Sequence, residues 1–412
     1  MNLFKRHRAP EPEPLPPIEI DRKPSKLRVV LLIVLLVIAV VSLTYGFTEL
    51  VKVEPGWYIL EVTDSNMSCC NDFVCNYYVS DKQIQQDVTA VYTRACKDAY
   101  LIFSDAEQTS DMYRINAAVN QEVQIHATLY QALELMEQSG SRLLYMAPVH
   151  DEYGPVFEQT DELFAKLYDP SKNPQNMAYI GQLVEFTNAA EHIKLELLGN
   201  DRVRLFVSDA YLAFAQEHAI ETFVELGWTA NAFVIDYLAQ VMTDAGYTRG
   251  YIVSNDGFTR NLDASVEYSV NLLDWQDNAW YMPVTMSYTG PMSIVQLRAR
   301  PIADYSADAL RYFAYADGTV TSTFIDPADG VSKSAADSLV CYSKDATCAQ
   351  ILMNSAKVFL ADALDEEGLA VMAEQDIYSI WYEETNMCYN DEAAVLRVDD
   401  EVKELYSVTL VK

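Results

Sequence analysis

The longest apolar run lies near the start of the chain. From Val29 to Thr48 no residue is charged, and VVLLIVLLVIAVVSL is almost wholly Val, Leu and Ile. A run of that length in helical form matches a hydrocarbon core of about 30 Å, so the pattern predicts one transmembrane helix over 29–48. Beyond it the period changes. GWYILEV (Gly56–Val62) and Phe73–Val79 read as strands. From Lys82 to Phe103, Ile84, Val88, Val91, Ala95, Ala99 and Ile102 recur at three- and four-residue steps, the buried face of an amphipathic helix. Thr128–Gln138 reads as a second helix, and Lys194–Val207 as a hairpin turning through Gly199-Asn200-Asp201, which tolerate positive φ. Asp209–Glu225 reads as a helix capped by Ser208 or Asp209, and Ala230–Ala245 as another. Short strands follow in YIVSN, AWYMPVTMSY and MSIVQLRA, then a hairpin around Asp317-Gly318, the strand SLVCYS and a helix over Cys348–Leu364. Nothing repeats at a fixed period, which argues against a solenoid or propeller. Interspersed helices and antiparallel hairpins predict an α+β fold with mixed sheets.

Charge sharpens this picture. The chain of 412 residues carries 29 Lys and Arg against 60 Asp and Glu, a net charge of −31. So negative a surface repels nucleic acid and anionic lipid headgroups, which excludes both as partners of the main domain. The opposite sign gathers ahead of the apolar run, in Lys5, Arg6, Arg8, Arg22, Lys23, Lys26 and Arg28. Basic residues on that side place the N-terminus in the cytoplasm. The expected organisation is a cytoplasmic tail over 1–28, the membrane helix over 29–48 and an extracytoplasmic domain over 49–412, in a single-pass protein of the cell membrane. A cleaved signal peptide would have a shorter apolar segment followed by small residues; here the run continues into TYGFTELV. The tail segment APEPEPLPPIEI reads as an extended linker.

Seven cysteines are too few for a disulfide-built scaffold in a chain this long. Cys69, Cys70, Cys75 and Cys96 cluster early, Cys341 and Cys348 are close enough to bridge a strand–helix turn, and Cys388 stands alone; the pairing is open. There is no phosphate-loop, dinucleotide-fingerprint or serine-hydrolase motif. His126, His150, His192 and His218 stand apart, as surface or core residues.

Three stretches, in order, resemble the ApbE family of FAD:protein FMN transferases. Ser110-Asp111-Met112-Tyr113-Arg114-Ile115-Asn116 is similar to the family's S-E-I-S-R-L-N. Glu225-Leu226-Gly227-Trp228-Thr229-Ala230-Asn231-Ala232-Phe233-Val234-Ile235-Asp236 is similar to D-L-G-G-I-A-K-G-Y-A-V-D, and the stretch through Asn255-Asp256-Gly257 resembles the N-x-G-G turn after it. Phe324-Ile325-Asp326-Pro327-Ala328-Asp329-Gly330 is similar to H-I-I-D-P-x-T-G. The likeness runs from about Tyr58 to the C-terminus. It implies the ApbE fold, Mg²⁺-dependent transfer of FMN from FAD onto a Ser or Thr of a partner, and membrane redox-complex subunits as acceptors. It also implies flavin contacts at Ser110, Arg114, Asn116, Gly227, Thr229, Gly257 and Asp326, and metal ligands at the Ala230 carbonyl, Gln350 and Asn354. The three motifs should then converge on one cavity.

The departures point the other way. Gln350 and Asn354 stand for the aspartate and threonine of the family's metal-binding helix, and neutral amides are poor ligands for a hard ion. Trp228 stands for a glycine, Asn231 for a lysine, Asp256 for a glycine in the N-x-G-G turn and Thr323 for a histidine. The expected function is therefore that of a divergent transferase with activity degraded or lost. The alternative is a non-catalytic binding module, or an accessory subunit of a redox complex, that uses the former flavin cleft.

Overall fold

The computed structural model describes residues 26–50, 53–62, 72–303 and 305–411, and no side chains for 27, 28 and 44–50. The basic and proline-rich tail before residue 26, Cys69, Cys70 and Asp304 therefore lie outside the described residues. The chain divides into two compact units, Met1–Glu54 and Pro55–Lys412.

In the first unit one helix, α1, spans Lys26–Leu50. Its large apolar side chains from Val29 to Leu43 are exposed. Among the described residues no helix is long and apolar enough to cross a membrane; in α1 the described run of apolar side chains stops at Leu43.

The second unit starts with strands β1 (Gly56–Leu60) and β2 (Phe73–Val79), then helices α2 (Lys82–Phe103) and α3 (Asp111–Ala117). Next come β3 (Glu122–Gln124), α4 (Ala127–Ser139), α5 (Ala147–Phe157), α6 (Glu162–Tyr168), α7 (Pro174–Asn188), β4 (Ile193–Gly199), β5 (Arg202–Val207) and α8 (Asp209–His218). Helix α9 (Ala230–Asp244) leads to β6 (Gly250–Ser254), β7 (Phe258–Asn261), β8 (Glu267–Gln276), β9 (Ala279–Thr289) and β10 (Met292–Arg298). After the hairpin β11–β12 (Tyr312–Ala314, Val320–Ser322) follow β13 (Ser338–Ser343), α10 (Cys348–Phe359), α11 (Glu366–Ala373) and β14 to β17 (Tyr378–Glu383, Asn386–Tyr389, Val395–Val398, Ser407–Leu410).

A nine-stranded sheet in the order β1-β2-β6-β7-β10-β13-β14-β15-β17 forms the frame. Its pairs are antiparallel except β15 with β17. Smaller sheets, β16-β9-β8, β3-β5-β4 and β11-β12, flank it. Alternation on β2 buries Phe73, Cys75, Tyr77 and Val79, the period-two pattern of a strand with one face in the core. Helix α10 packs on β10 and on α9, and α9 on α2. The α+β expectation is met.

The hairpin expected at Lys194–Val207 is β4–β5, with Gly199, Asn200 and Asp201 all at positive φ. Two helices are shorter than expected. The one begun at Asp209 stops at His218 because Ala219 turns left-handed at φ +55°, and the chain then runs without regular structure to Leu226. The helix begun at Cys348 stops at Phe359. Cys341 and Cys348 do not bridge: both are buried free thiols, Cys341 beside Ser379 and Cys348 on the Thr259 carbonyl.

Candidate functional site

The segment that enters α9 is fixed before α9 begins. Asn116, on α3, accepts hydrogen bonds from Phe223 N–H (2.9 Å) and Val224 N–H (3.1 Å) and donates to the Val224 carbonyl (2.8 Å). Such pairing of a side-chain amide with an extended backbone satisfies groups that no sheet would otherwise cover. Glu225 N–H then bonds the Leu144 carbonyl, and Gly227 takes φ +50°. A Cβ on Gly227 would meet Glu225 Oε1 at 3.1 Å and His150 Nδ1 at 3.2 Å, so glycine serves both the backbone angle and the fit. Thr229 donates its hydroxyl to the Leu226 carbonyl and closes the turn that starts α9.

Gly227 and Arg311 line two cavities. The larger, about 360 Å³, is walled by Asp72, Tyr100, Phe103, Asp105, Asn231 and Asp256 and includes Ala230. The smaller, about 270 Å³, takes in His150, Glu225, Trp228 and Thr323. Trp228 is buried and meets Phe324 edge-on at 4.9 Å between ring centroids.

Acid dominates the lining. Asp256, with its side chain only 1 % exposed, receives Arg311 Nη2 and Asn231 Nδ2, both at 2.9 Å on the same oxygen, Oδ2. Its other oxygen, Oδ1, is buried and without a partner. Burial works against the charge of Arg311, but Asp256 beside it raises the guanidinium pKa on balance. Arg311 is the only guanidinium or ammonium among the described lining residues. Glu225 holds His150 Nδ1, leaving His150 Nε2 buried and unpartnered, as is Trp228 Nε1. Desolvation and then the Glu225 charge raise the pKa of Asp105 on the rim. The same two causes push Asp151 up to about 6.

Of the three motifs only the second lines these cavities with its own residues. The first reaches the larger cavity through the turn before it, at Ser104 and Asp105, to which Ser110 is tied by a hydrogen bond from its hydroxyl to the Ser104 carbonyl. Ser110 also caps α3 by accepting from Tyr113 N–H (3.1 Å). Arg114 pairs with Asp111 at 2.8 Å and donates to the Gln124 carbonyl, away from both cavities. Gly257 sits at φ +102° because β10 passes there: a Cβ would lie 2.2 Å from the Gln296 carbonyl. Asp326 makes an Asx turn to Ala328 N–H and pairs with Lys333 at 2.9 Å, lining a separate cavity with Arg142, Asn188 and Lys357.

The metal candidates are also engaged locally. Gln350 Oε1 accepts from Thr347 N–H (2.9 Å) while Thr347 Oγ1 accepts from Gln350 N–H (3.2 Å), a reciprocal capping box. Asn354 donates to the Gln350 carbonyl (2.8 Å). Of the three, Ala230 alone lines a cavity described here. No group of three or more His, Cys, Asp or Glu able to hold a metal occurs among the described residues.

The chain superposes on the ApbE protein of Thermotoga maritima with a TM-score of 0.55 at 13% identity, covering 85% of this chain and 99% of that one. It superposes on the flavin transferase ApbE of Vibrio cholerae with a TM-score of 0.51 at 12% identity, over 85% and 99% of the two chains. The apo flavinyl transferase ApbE of Pseudomonas stutzeri gives 0.51 at 13%, over 87% and 99%. The fold is that of the ApbE flavin transferases. No protein-family profile matches the sequence, and no curated protein does. The ApbE architecture is thus shared at 12–13% identity.

The lining of the two Gly227 cavities does not fit the dinucleotide, and Gln350 and Asn354 do not fit the metal, that the ApbE resemblance implies. A pyrophosphate needs cations or free amide donors, but the one lining guanidinium is taken by Asp256, and Asp72, Asp105 and Glu225 stand around it. Gln350 and Asn354 offer no anionic oxygen to Mg²⁺. Sequence reasoning missed Arg311 and His150, which reach the site from distant segments with no local signal. It noted Asp256 as a carboxylate in place of glycine, and that residue sits at the centre of the site.

Proposed function

We propose that this chain is a membrane-anchored, extracytoplasmic protein of ApbE fold in which FMN transfer from FAD has lapsed, the old cleft serving as a non-catalytic binding site. One observation carries the reading: Asp256 is buried in the cavity wall and its charge occupies Arg311. A carboxylate there raises the free energy of any phosphate brought beside it, since two like charges in a poorly solvated cavity repel strongly. The amides of Gln350 and Asn354 support the same reading, for they replace the charge that a hard cation requires. The anchor rests on the uncharged run Val29–Thr48 and on the seven Lys and Arg before it, which favour a cytoplasmic N-terminus. Redox-complex subunits as FMN acceptors belong to an active enzyme; under this reading they remain only as docking partners.

The test is direct. The full chain, incubated with FAD, Mg²⁺ and a Ser/Thr acceptor peptide, should release no AMP above the background without protein. Release of AMP matched by flavin on the peptide would overturn the proposal.

A further inference from the structure

The nine-stranded sheet ends on β17, and no described strand pairs with its outer edge. Ser407 N–H bonds the Thr385 carbonyl at 3.1 Å, and Val411 N–H bonds the Tyr389 carbonyl at 2.8 Å. Successive residues of a strand aim their backbone groups to opposite sides. Ser407, Thr409 and Val411 therefore serve β15, while Val408 and Leu410 direct N–H and C=O outward. Proteins commonly blunt such an edge with lysine, proline or a bulge, and β17, Ser-Val-Thr-Leu in regular register, has none of them. Ser407, Val408 and Thr409 are exposed.

A groove of about 570 Å³ beside α11 reaches this edge. Trp381 stands opposite Cys388, and Cys388 opposite Thr409, so the pleat puts Trp381, Asn390 and Val411 on one face of the sheet; all three line the groove. Leu369 and Trp381 are buried in its floor, and the more exposed Ala370, Ala373 and Tyr378 form its walls. Its rim carries Glu366, Glu367 and Glu374, and no Lys, Arg or His lines it. None of the three has an ion pair with a described residue. Glu366 and Glu367 suit the first turn of α11, where the helix dipole favours acid. Glu374 caps the opposite end, where a negative charge is unfavourable until a cation answers it.

We infer that the β17 edge and this groove receive an extended, basic segment of a partner polypeptide by strand addition. Its backbone pairs with Val408 and Leu410, its Lys or Arg side chains meet Glu366, Glu367 and Glu374, and a small apolar side chain enters between them. The open edge supplies affinity for an extended chain, and the acidic rim selects a basic one. A second copy of this chain suits the edge poorly, since it would bring the same acidic rim against the first. The groove shares no residue with the Gly227 cavities, so the inference stands whether or not flavin transfer has lapsed.

The experiment is calorimetric titration of the full chain, purified in detergent, with two peptides of about eight residues, one alternating Lys and Val and the other Glu and Val. The salt is about 0.15 M NaCl, where charges more than about 8 Å apart are largely screened. The Lys-Val peptide should saturate one site, and the Glu-Val peptide should bind at least about ten-fold more weakly. Val408→Pro deletes an outward N–H while sparing the β15 ladder, and should weaken the Lys-Val peptide about ten-fold. Glu374→Gln should weaken it about three-fold. Methylating alternate nitrogens of the peptide removes its pairing donors without touching the protein, and should abolish binding however Val408→Pro folds. Binding that survives both Val408→Pro and N-methylation would reveal only attraction to an acidic surface and overturn the inference, as would a Lys-Val peptide that never saturates. Self-association of the full chain that Val408→Pro abolishes would assign the edge to a second copy and equally overturn it.

Discussion

Two carboxylates near the same helix, Asp256 buried and Asp236 half-buried, have opposite surroundings. Asp236, on α9, accepts Cys348 N–H at 3.0 Å and Ala349 N–H at 2.8 Å, the free amides at the start of α10, and lies 3.4 Å from Arg260 Nε. Its pKa is nevertheless raised, because burial outweighs the opposing pull of Arg260 and the two amides. Asp256, in the turn between β6 and β7, has one oxygen engaged twice and the other buried without a partner. The first carboxylate completes a helix N-terminus and serves the fold. The second gives the fold less than its burial demands.

The contrast predicts a hierarchy of effects. Asp236→Ala removes the acceptor of both amides and the counter-charge of Arg260, and should lower unfolding free energy by about 4 kcal/mol in a denaturant titration. A loss below about 1 kcal/mol would mean that the α10 terminus is held by other means. Gly257→Ala should follow at about 3 kcal/mol, since its Cβ would run into the Gln296 carbonyl at a left-handed φ. Gly227→Ala, at φ +50° with looser neighbours, should cost about 1 kcal/mol and disturb the cavity more than the fold. Equal costs for the two glycines would erase the distinction drawn between them. Asp256→Asn keeps an acceptor for Arg311 and should cost only about 1 kcal/mol, far less than the change at Asp236.

The smallest effect depends on pH. Asp151 has a folded pKa of about 6 against an ordinary value of 3.8, raised by burial and then by Glu225. A raised acid pKa means the folded state disfavours the charged form, so the penalty is absent below the ordinary value, grows as pH rises to about 6 and stays above it. Asp151→Asn should therefore stabilise the protein by about 0.5 kcal/mol at pH 7.5, discounted for its exposure, and not at all near pH 4. A gain of the same size at both pH values would show that the Glu225 side of the cavity is not electrostatically crowded.

Much of the frame was legible along the chain because local rules governed it. The three- and four-residue spacing from Ile84 to Ile102 became one helix face, and Gly199-Asn200-Asp201 turned the hairpin as their φ tolerance demands. The Thr347–Gln350 spacing is itself a capping-box signature, and it explains why Gln350 faces its own backbone instead of a metal. Arg311 and His150 were not legible, since each reaches the site across a long sequence separation and no periodicity marks them. The early end of α8 was missed for a related reason. Asn116 holds Phe223 and Val224 extended from outside the segment, and no local propensity announces that. Asp326, matched by motif, has a side chain that serves a turn and Lys333 and lines a cavity separate from those at Gly227.

On the function proposed above, the cleft keeps the ApbE shape while its charge excludes the flavin dinucleotide. Titrating the full chain with FAD in the presence of millimolar Mg²⁺, with heat and flavin fluorescence read together, tests it most directly. No saturable signal and no rise in melting temperature are expected at the highest FAD used. Saturable FAD binding that weakens when Arg311 is changed to Ala would contradict it.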